Sequence, residues 1–436
     1  MRAVEPGWEA FERYVNRVLG LQATVASGSK DYDPGDGVDR RHHTETDYAL
    51  MADAKFCVDA DTEIMTRRGW LRYDQVRVGD ETLGLREDGA VFWSIVDGVH
   101  VFPGDHEVVR WKWRRHDSVT TPDHRWLVER TSSQVTCAWT TTDQIQTNDA
   151  LICGRELSEY PEQKYSDALV ELVAWYWTEG CLHPHGAVSI AQSPTANPEN
   201  WASIQAALIS CFGYAKAHGD GRAFYVGTNE ARADVIKQHA PGKEKALSLD
   251  FVLSLTKAQL QLLIDISVRA DGHSRPQRGR SGRSVRVYQK NRDSLDVLQI
   301  ACQLLGRQSS LTHQSNGWCL HIFERSRVIP HTVARGRGEP EFYRGVVWCP
   351  TTATSTWLAR RNGQVYFTGN TERKSFSFSA KVMGQYVRRA AMAGKKFVLP
   401  VRLLDTASGE NHDYVVVPLQ DYVALLETYR KSAEID

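Results

Sequence analysis

No pair of cysteines in this 436-residue chain is spaced as CxxC, and its eight cysteines (57, 137, 153, 181, 211, 302, 319 and 349) lie far apart. That spacing excludes the usual structural zinc frameworks. Long apolar runs are missing too: nothing approaches the roughly 18 residues of a membrane span. The N-terminal MRAVEPGWEAFERYV lacks the apolar core of a secretory signal. A disulfide framework is therefore not expected, and a cytoplasmic protein with no membrane partner is. Most of the cysteines are expected to be small buried hydrophobes. Net charge is also absent, because 53 basic side chains cancel 53 acidic ones. Any case for a nucleic-acid partner must rest on local patches.

What is present is length, and 436 residues suggest two to four domains. Hydrophobic content of 42% with 24% charged residues is ordinary for a soluble globular protein. Residues 7–20, GWEAFERYVNRVLG, place Trp8, Phe11, Tyr14, Val15 and Val18 at helical spacing. A Gly-, Ser- and Asp-rich loop leads into the strand YALMADAKF. From Cys57 to about 160 the texture is all-β, in short stretches such as ETLGLREDGAVFWSIVDGVHVF and HEVVRWKWRR. Residues 165–330 contain an internal repeat. LVELVAWYWTEGCL and QLLIDISVRADGHS are apolar helices ending in acid-Gly, each followed by a strand, an Asn-bearing turn and an amphipathic helix. Two such αββα units predict a pseudo-twofold α/β domain. Strands return in GVVWCPTTATSTWLARRNGQVYFTGN, and 371–436 reads helix, strand, strand, helix. That tail with residues 1–56 makes a plausible small α/β domain, although either piece alone is a poor one.

Cys57 opens the β section, Thr121-Pro122-Asp123-His124 lies within it, and Gly369-Asn370-Thr371 closes it. Alone, each piece has a bland reading: a core cysteine, a chance TxxH, a Gly-Asn turn. Their order and the flanking stretches CVDADTEIMTRRGW and ARRNGQVYFTGNT resemble an intein, a self-splicing insert of the Hint fold. The resemblance implies an all-β splicing domain in two parts, 57–160 and 335–370, between host segments 1–56 and 371–436. It also implies roles. The Cys57 thiol attacks the Phe56 carbonyl to give a thioester, while Thr121 and His124 polarise that bond and protonate the leaving nitrogen. The Thr371 hydroxyl takes over the acyl group. Asn370 cyclises and releases the insert, with no cofactor. Two departures from the family pattern matter. Gly369 stands where a histidine usually assists cyclisation, and Ser355 or Thr356 stands where relatives place another. Cys349, in VVWCPTT, either tunes the two nucleophiles or is a buried strand residue.

The repeat at 165–330 resembles the LAGLIDADG (dodecapeptide) homing endonucleases nested in inteins, with motif helices LVAWYWTEG and IDISVRADG. By that resemblance the domain is a pseudo-symmetric monomer acting on double-stranded DNA. Glu179 and Asp271 converge on Mg2+, a hard cation suited to phosphodiester hydrolysis, and Lys245 in GKEKALSLDF is a third catalytic residue. The basic run SRPQRGRSGRSVRVYQK can meet phosphates or base edges, or be a solvated loop. Ile266 occupies a place where a small residue normally lets the helices approach, as Ala174 does in the first motif. A live nuclease and a DNA-binding remnant that no longer cuts are therefore both open.

Read across the insert, the host strand is YALMADAKFTERKSFSFSAKVM. Asp53-Ala54-Lys55 resembles the D/E-x-K half of PD-(D/E)xK nucleases, closest to small phage resolvase-like members. The resemblance implies Mg2+ held by Asp53 with Asp36 or Asp47, a water oriented by Lys55, and help from Glu12 or Glu9. The bland reading of Lys55 is a solvated side chain on an edge strand.

Overall fold

The computed structural model describes residues 22–23, 37–38, 56–113, 115–131, 135–146, 149–219, 221–276, 283–324, 326–328, 338–370, 387–388, 391, 399–404 and 411–418. The helix expected at 7–20 and the host residues Glu9, Glu12, Asp36, Asp47, Asp53 and Lys55 lie outside them, as does Thr371. The strands described within 1–56 and 371–436 form two antiparallel pairs. One joins β1 (Gln22–Ala23) to β2 (Gly37–Val38), and the other joins β23 (Leu399–Leu404) to β24 (Asn411–Val416).

The stretch after Phe56 is all-β apart from one 3-10 turn. Its strands are β3 (Val58–Asp59), β4 (Glu63–Thr66), β5 (Gly69–Leu71), β6 (Glu81–Leu85), β7 (Val91–Trp113), β8 (His116–Thr120), β9 (Arg125–Thr131), β10 (Val135–Thr141) and β11 (Asp149–Ile152). β7 differs from the sequence expectation of two strands parted at Phe102-Pro103-Gly104-Asp105, since it runs unbroken for 23 residues. At Pro103 the strand has β20 (Glu339–Thr352) as its partner, while β8 pairs only with 109–113. Proline's missing N–H is therefore lost on a side with no ladder to feed.

Residues 167–323 supply α1 (Asp167–Glu179), β12 (Gly180–Leu182), β13 (Val188–Ala191), α2 (Pro198–Phe212), β14 (Ala223–Val226), α3 (Arg232–Lys237) and α4 (Leu249–Leu253). They continue with α5 (Lys257–Asp271), β15 (Gly272–Pro276), β16 (Arg283–Gln289), α6 (Arg292–Leu304), β17 (Ser309–Gln314) and β18 (Gly317–Phe323). The order helix–strand–strand–helix recurs as expected, with a further strand after α2 and two after α6. Ser166 caps α1 through a bond from Leu169 N, and Thr256 with Gln259 makes a capping box on α5. The two helices pack against each other, with Ala174, Ile266 and Ser267 buried. Each runs straight into a strand at a glycine. A Cβ at Gly180 would lie 2.2 Å from Tyr176 O, and one at Gly272 would lie 2.3 Å from Val268 O. No other residue fits that close approach, so the glycine of each acid-Gly pair is a steric requirement of the turn.

Three short elements close the section: β19 (Arg327–Val328), β21 (Thr356–Arg361) and β22 (Gln364–Gly369). Here the chain returns to its starting point. β20 lies antiparallel to β3, with Trp348 opposite Val58 and Val347 opposite Asp59. The sheets run β20-β3-β8-β7-β6, β10-β9-β11-β19, β12-β13-β14 and β15-β16-β18-β17-β22-β21-β4-β5. The eight-stranded sheet joins the second repeat unit to the strands nearest the C-terminal junction through the pair Ser310–Gln364. One apolar cluster likewise runs from Trp175 and Leu263 of the repeat to Leu83, Leu358 and Phe367 of the β section. Among the described residues no helix is long and apolar enough to cross a membrane.

Candidate active site

The N-terminal junction is held from several sides. Cys57 N donates to Thr121 Oγ1 (3.1 Å), and Thr121 N donates to Cys57 O (3.0 Å). Phe56, whose carbonyl precedes that nitrogen, has φ of 64°. Left-handed backbone costs a residue with a Cβ about 1–2 kcal/mol, so Phe56 itself carries strain fixed by its surroundings. The turn between β8 and β9 brings His124 beside it. Burial pushes this imidazole down to about 4, and the Phe56 backbone opposes the shift only in part. His124 is thus neutral; Nε2 hydrogen-bonds Thr368 Oγ1 (2.5 Å), and Nδ1 makes no bond of ordinary geometry.

One step beyond the Val58–Trp348 pair, Cys57 and Cys349 face each other with their sulfurs 3.6 Å apart, both buried. Cys349 is therefore both a buried strand residue and a second thiol at the junction. His100, opposite Cys349 in the β7–β20 ladder, is pushed down to about 4 by burial and bonds Thr351 Oγ1 (2.9 Å).

At the other junction Asn370 is fully buried. Its N–H donates to Ser355 O (3.1 Å), and Nδ2 donates to Thr352 Oγ1 (2.9 Å). The absence of a histidine at 369 has a steric cause: a Cβ there would sit 2.5 Å from Arg125 O of β9. The Thr356 hydroxyl is bound to both Leu85 N and Leu85 O at 2.7 Å, and Ser355 forms a left-handed turn.

A buried ion cluster connects the segments. Arg361 bonds both oxygens of Asp59 (3.1 and 2.9 Å) and Asp117 (2.7 Å), and Asn362 adds a bond to Asp117 (2.9 Å). It ties the turn before β22 to the strand after Cys57 and to the strand leading to Thr121. Sequence reasoning missed this cluster, Thr368 and Thr352. Asp59 in CVDADTE and Arg361 in ARRNGQ sit among other polar residues, and Thr352 lies among the threonines of PTTATST, so none of them stands out by sequence.

A second group forms where α1 and α5 end. Burial raises Glu179, with Lys245 opposing, and burial plus the Glu179 charge push Asp271 up to about 6, again against Lys245. Lys245 is lowered by burial despite the carboxylates around it; its backbone is left-handed (φ 49°), and its ammonium bonds Gly180 O (2.5 Å). Gln289 Nε2 donates to Asp271 Oδ2 (2.5 Å). So Glu179, Asp271 and Lys245 do come together. Two carboxylates that repel each other, beside backbone carbonyls, are a hard-oxygen set that suits Mg2+. Among the described residues no group of three or more His, Cys, Asp or Glu gathers as a metal cluster. Of the basic run, Arg283–Gln289 forms β16, and 277–282 lie outside the described residues.

No protein-family model matches this chain, and no curated protein does. Among solved structures, a variant of I-DmoI in complex with its target DNA in the presence of manganese is 14% identical. That match covers 36% of this chain and 87% of the other, with a TM-score of 0.27. The homing endonuclease I-WcaI bound to its DNA recognition sequence is 13% identical over 38% of this chain and 85% of its own, with a TM-score of 0.26. Likenesses of this degree establish neither family nor activity here.

Proposed function

We propose that residues 57–370 are a self-splicing insert that excises itself and joins Phe56 to Thr371. The observation that carries this reading is the Phe56–Cys57 peptide, preceded by the left-handed Phe56, held by Thr121 and flanked by a neutral buried histidine. In the first step Cys57 Sγ bonds to the Phe56 carbonyl carbon, the C–N bond breaks, and the thiol proton ends on the freed Cys57 nitrogen. Thr121 fixes where the nitrogen lies. A neutral His124 can pass a proton without first losing one. Cys349, a van der Waals contact away, poises the nucleophile or takes the acyl group in exchange. Thr371 then accepts the acyl group through its hydroxyl, Asn370 cyclises with loss of the Thr371 nitrogen, and an O-to-N shift restores a peptide. Mass spectrometry of the expressed wild-type chain should find the joined host and the free insert, and Cys57→Ala with Asn370→Ala should leave only the full-length chain. Persistence of the intact chain in the wild type sinks the proposal.

A second reading is favoured by the coupled carboxylates: residues 165–330 cut double-stranded DNA. Glu179 and Asp271 would hold Mg2+, which supplies charge neutralisation at the phosphate, while Lys245 offers a nearby cation. With Mg2+, cleavage is expected in DNA that encodes the host without the insert, near the Phe56–Thr371 codons, and Glu179→Gln abolishes it. Binding without cleavage would identify a remnant. The joined host is read as an Mg2+-dependent nuclease on Asp36, Asp53 and Lys55 alone. A purified spliced host that cuts neither duplex nor branched DNA would remove that reading.

A further inference from the structure

Cyclisation at Asn370 needs its Nδ2 to approach its own backbone carbonyl carbon and to give up a proton as the new bond forms. An amide nitrogen is a poor nucleophile, so its orientation and the acceptor for its hydrogen decide the rate. The residue before it cannot assist, because Gly369 is pressed against Arg125 O. Thr356 is committed to Leu85, and Ser355 is met through its backbone oxygen.

One side chain does touch the reacting nitrogen. Thr352, fully buried, accepts the bond from Asn370 Nδ2 at 2.9 Å, and its own hydroxyl hydrogen is donated to Thr356 O at 2.8 Å. Donation to Thr356 O, with Thr354 Oγ1 3.4 Å away, leaves a lone pair of the Thr352 oxygen for Nδ2. The support is rigid. Thr352 ends β20 where the ladder to β7 skips Asp97, so Thr351 pairs with Gly98 and Thr352 with Val96. Such bulges re-aim side chains beside active sites. Thr354 adds a second hydroxyl to Thr356 O at 3.0 Å, holding the same turn.

We propose that Thr352 is a catalytic residue for the release of the C-terminal host segment, orienting the Asn370 amide and accepting its hydrogen as the ring closes. The bond from Nδ2 to the Asn370 carbonyl carbon forms, the bond from that carbon to Thr371 N breaks, and one Nδ2 proton ends on the departing Thr371 amine. Atoms balance with no other reactant. The proposal rests on the splicing reading, and it assigns the task that the residue at 369 cannot perform.

The test uses the full chain in two backgrounds. With Cys57→Ala, only Asn370 chemistry can release residues 371–436. With Asn370→Ala, only the Cys57 thioester can be cleaved by added dithiothreitol to release 1–56. Thr352→Val should slow the first release by about 100-fold and leave the second, along with the melting temperature, close to the parent. Thr352→Ser, which keeps the hydroxyl, should bring the release back to within a few fold. Unchanged release in Thr352→Val, or an equal loss of both cleavages together with the melting temperature, overturns the role. Absence of both cleavages in the Thr352-containing parents overturns the splicing reading instead.

Discussion

The two candidate sites are opposite in character. Around the N-terminal end of β3 and the C-terminal end of β22, Cys57, Thr121, His124, Cys349 and Asn370 are buried, and the histidine is held neutral. Where α1 and α5 end, two carboxylates and an ammonium share a half-buried place and disturb one another's titration. The contrast is the one that the two proposed functions call for. A chain that rearranges its own peptide bonds brings both reactants in the same polymer, so its site can be dry and closed. A site that meets a polyanion and a cation must keep charge and access. A common apolar cluster and the eight-stranded sheet nevertheless fasten the two sites into one body.

The strongest way to break that contrast is to inactivate each site alone. Cys57→Ala should abolish ligated host while leaving any Mg2+-dependent DNA cleavage intact, and Glu179→Gln should do the reverse. Products are read by mass spectrometry and by a DNA-cutting assay on the same preparations. If Glu179→Gln also stopped splicing with no change in melting temperature, the sites would not be independent, and the common sheet would have to transmit more than support.

A smaller effect is expected at the C-terminal junction. Introducing a histidine by Gly369→His should slow release of 371–436 and not speed it, because the new Cβ falls 2.5 Å from a backbone oxygen of β9. Relieving such overpacking typically costs about 1–3 kcal/mol, measurable by denaturant unfolding. Gly369→Ala should show the same destabilisation. Faster release in either variant would mean that β9 yields easily and that sterics do not dictate glycine.

These residues also mark how far the sequence could be read. Cys57, Thr121, His124 and Asn370 were legible because their chemistry is written in short contiguous motifs at the ends of one β-rich section. Glu179 and Asp271 were legible because a helix ending in acid-Gly occurs twice. The unbroken β7 was hidden, since Pro103-Gly104 reads as a turn unless one knows that β8 does not reach it. The merger of two sheets through Ser310–Gln364 leaves no local trace. Thr352 was illegible for the same reason: its role comes from a skipped residue in a partner strand far away in the chain.

The smallest expected effect separates the sites by pH. Asp271 titrates near 6 in the folded chain against an ordinary 3.8. Between those values the folded form binds more protons than the unfolded one. Stability therefore falls as pH rises through that window, and the full penalty is present above it. Asp271 keeps some contact with water, which limits the penalty to about 1 kcal/mol. Asp271→Asn should accordingly raise the melting temperature at pH 7.5, and the gain should vanish near pH 4. Excess Mg2+ should stabilise the wild type more than the variant, because an ion bound between Glu179 and Asp271 relieves the same repulsion. Splicing products should be unaffected by the substitution at either pH. A variant less stable than wild type at pH 7.5 would show that the Gln289 and Lys245 contacts outweigh the repulsion, and that no cation is needed to quiet this site.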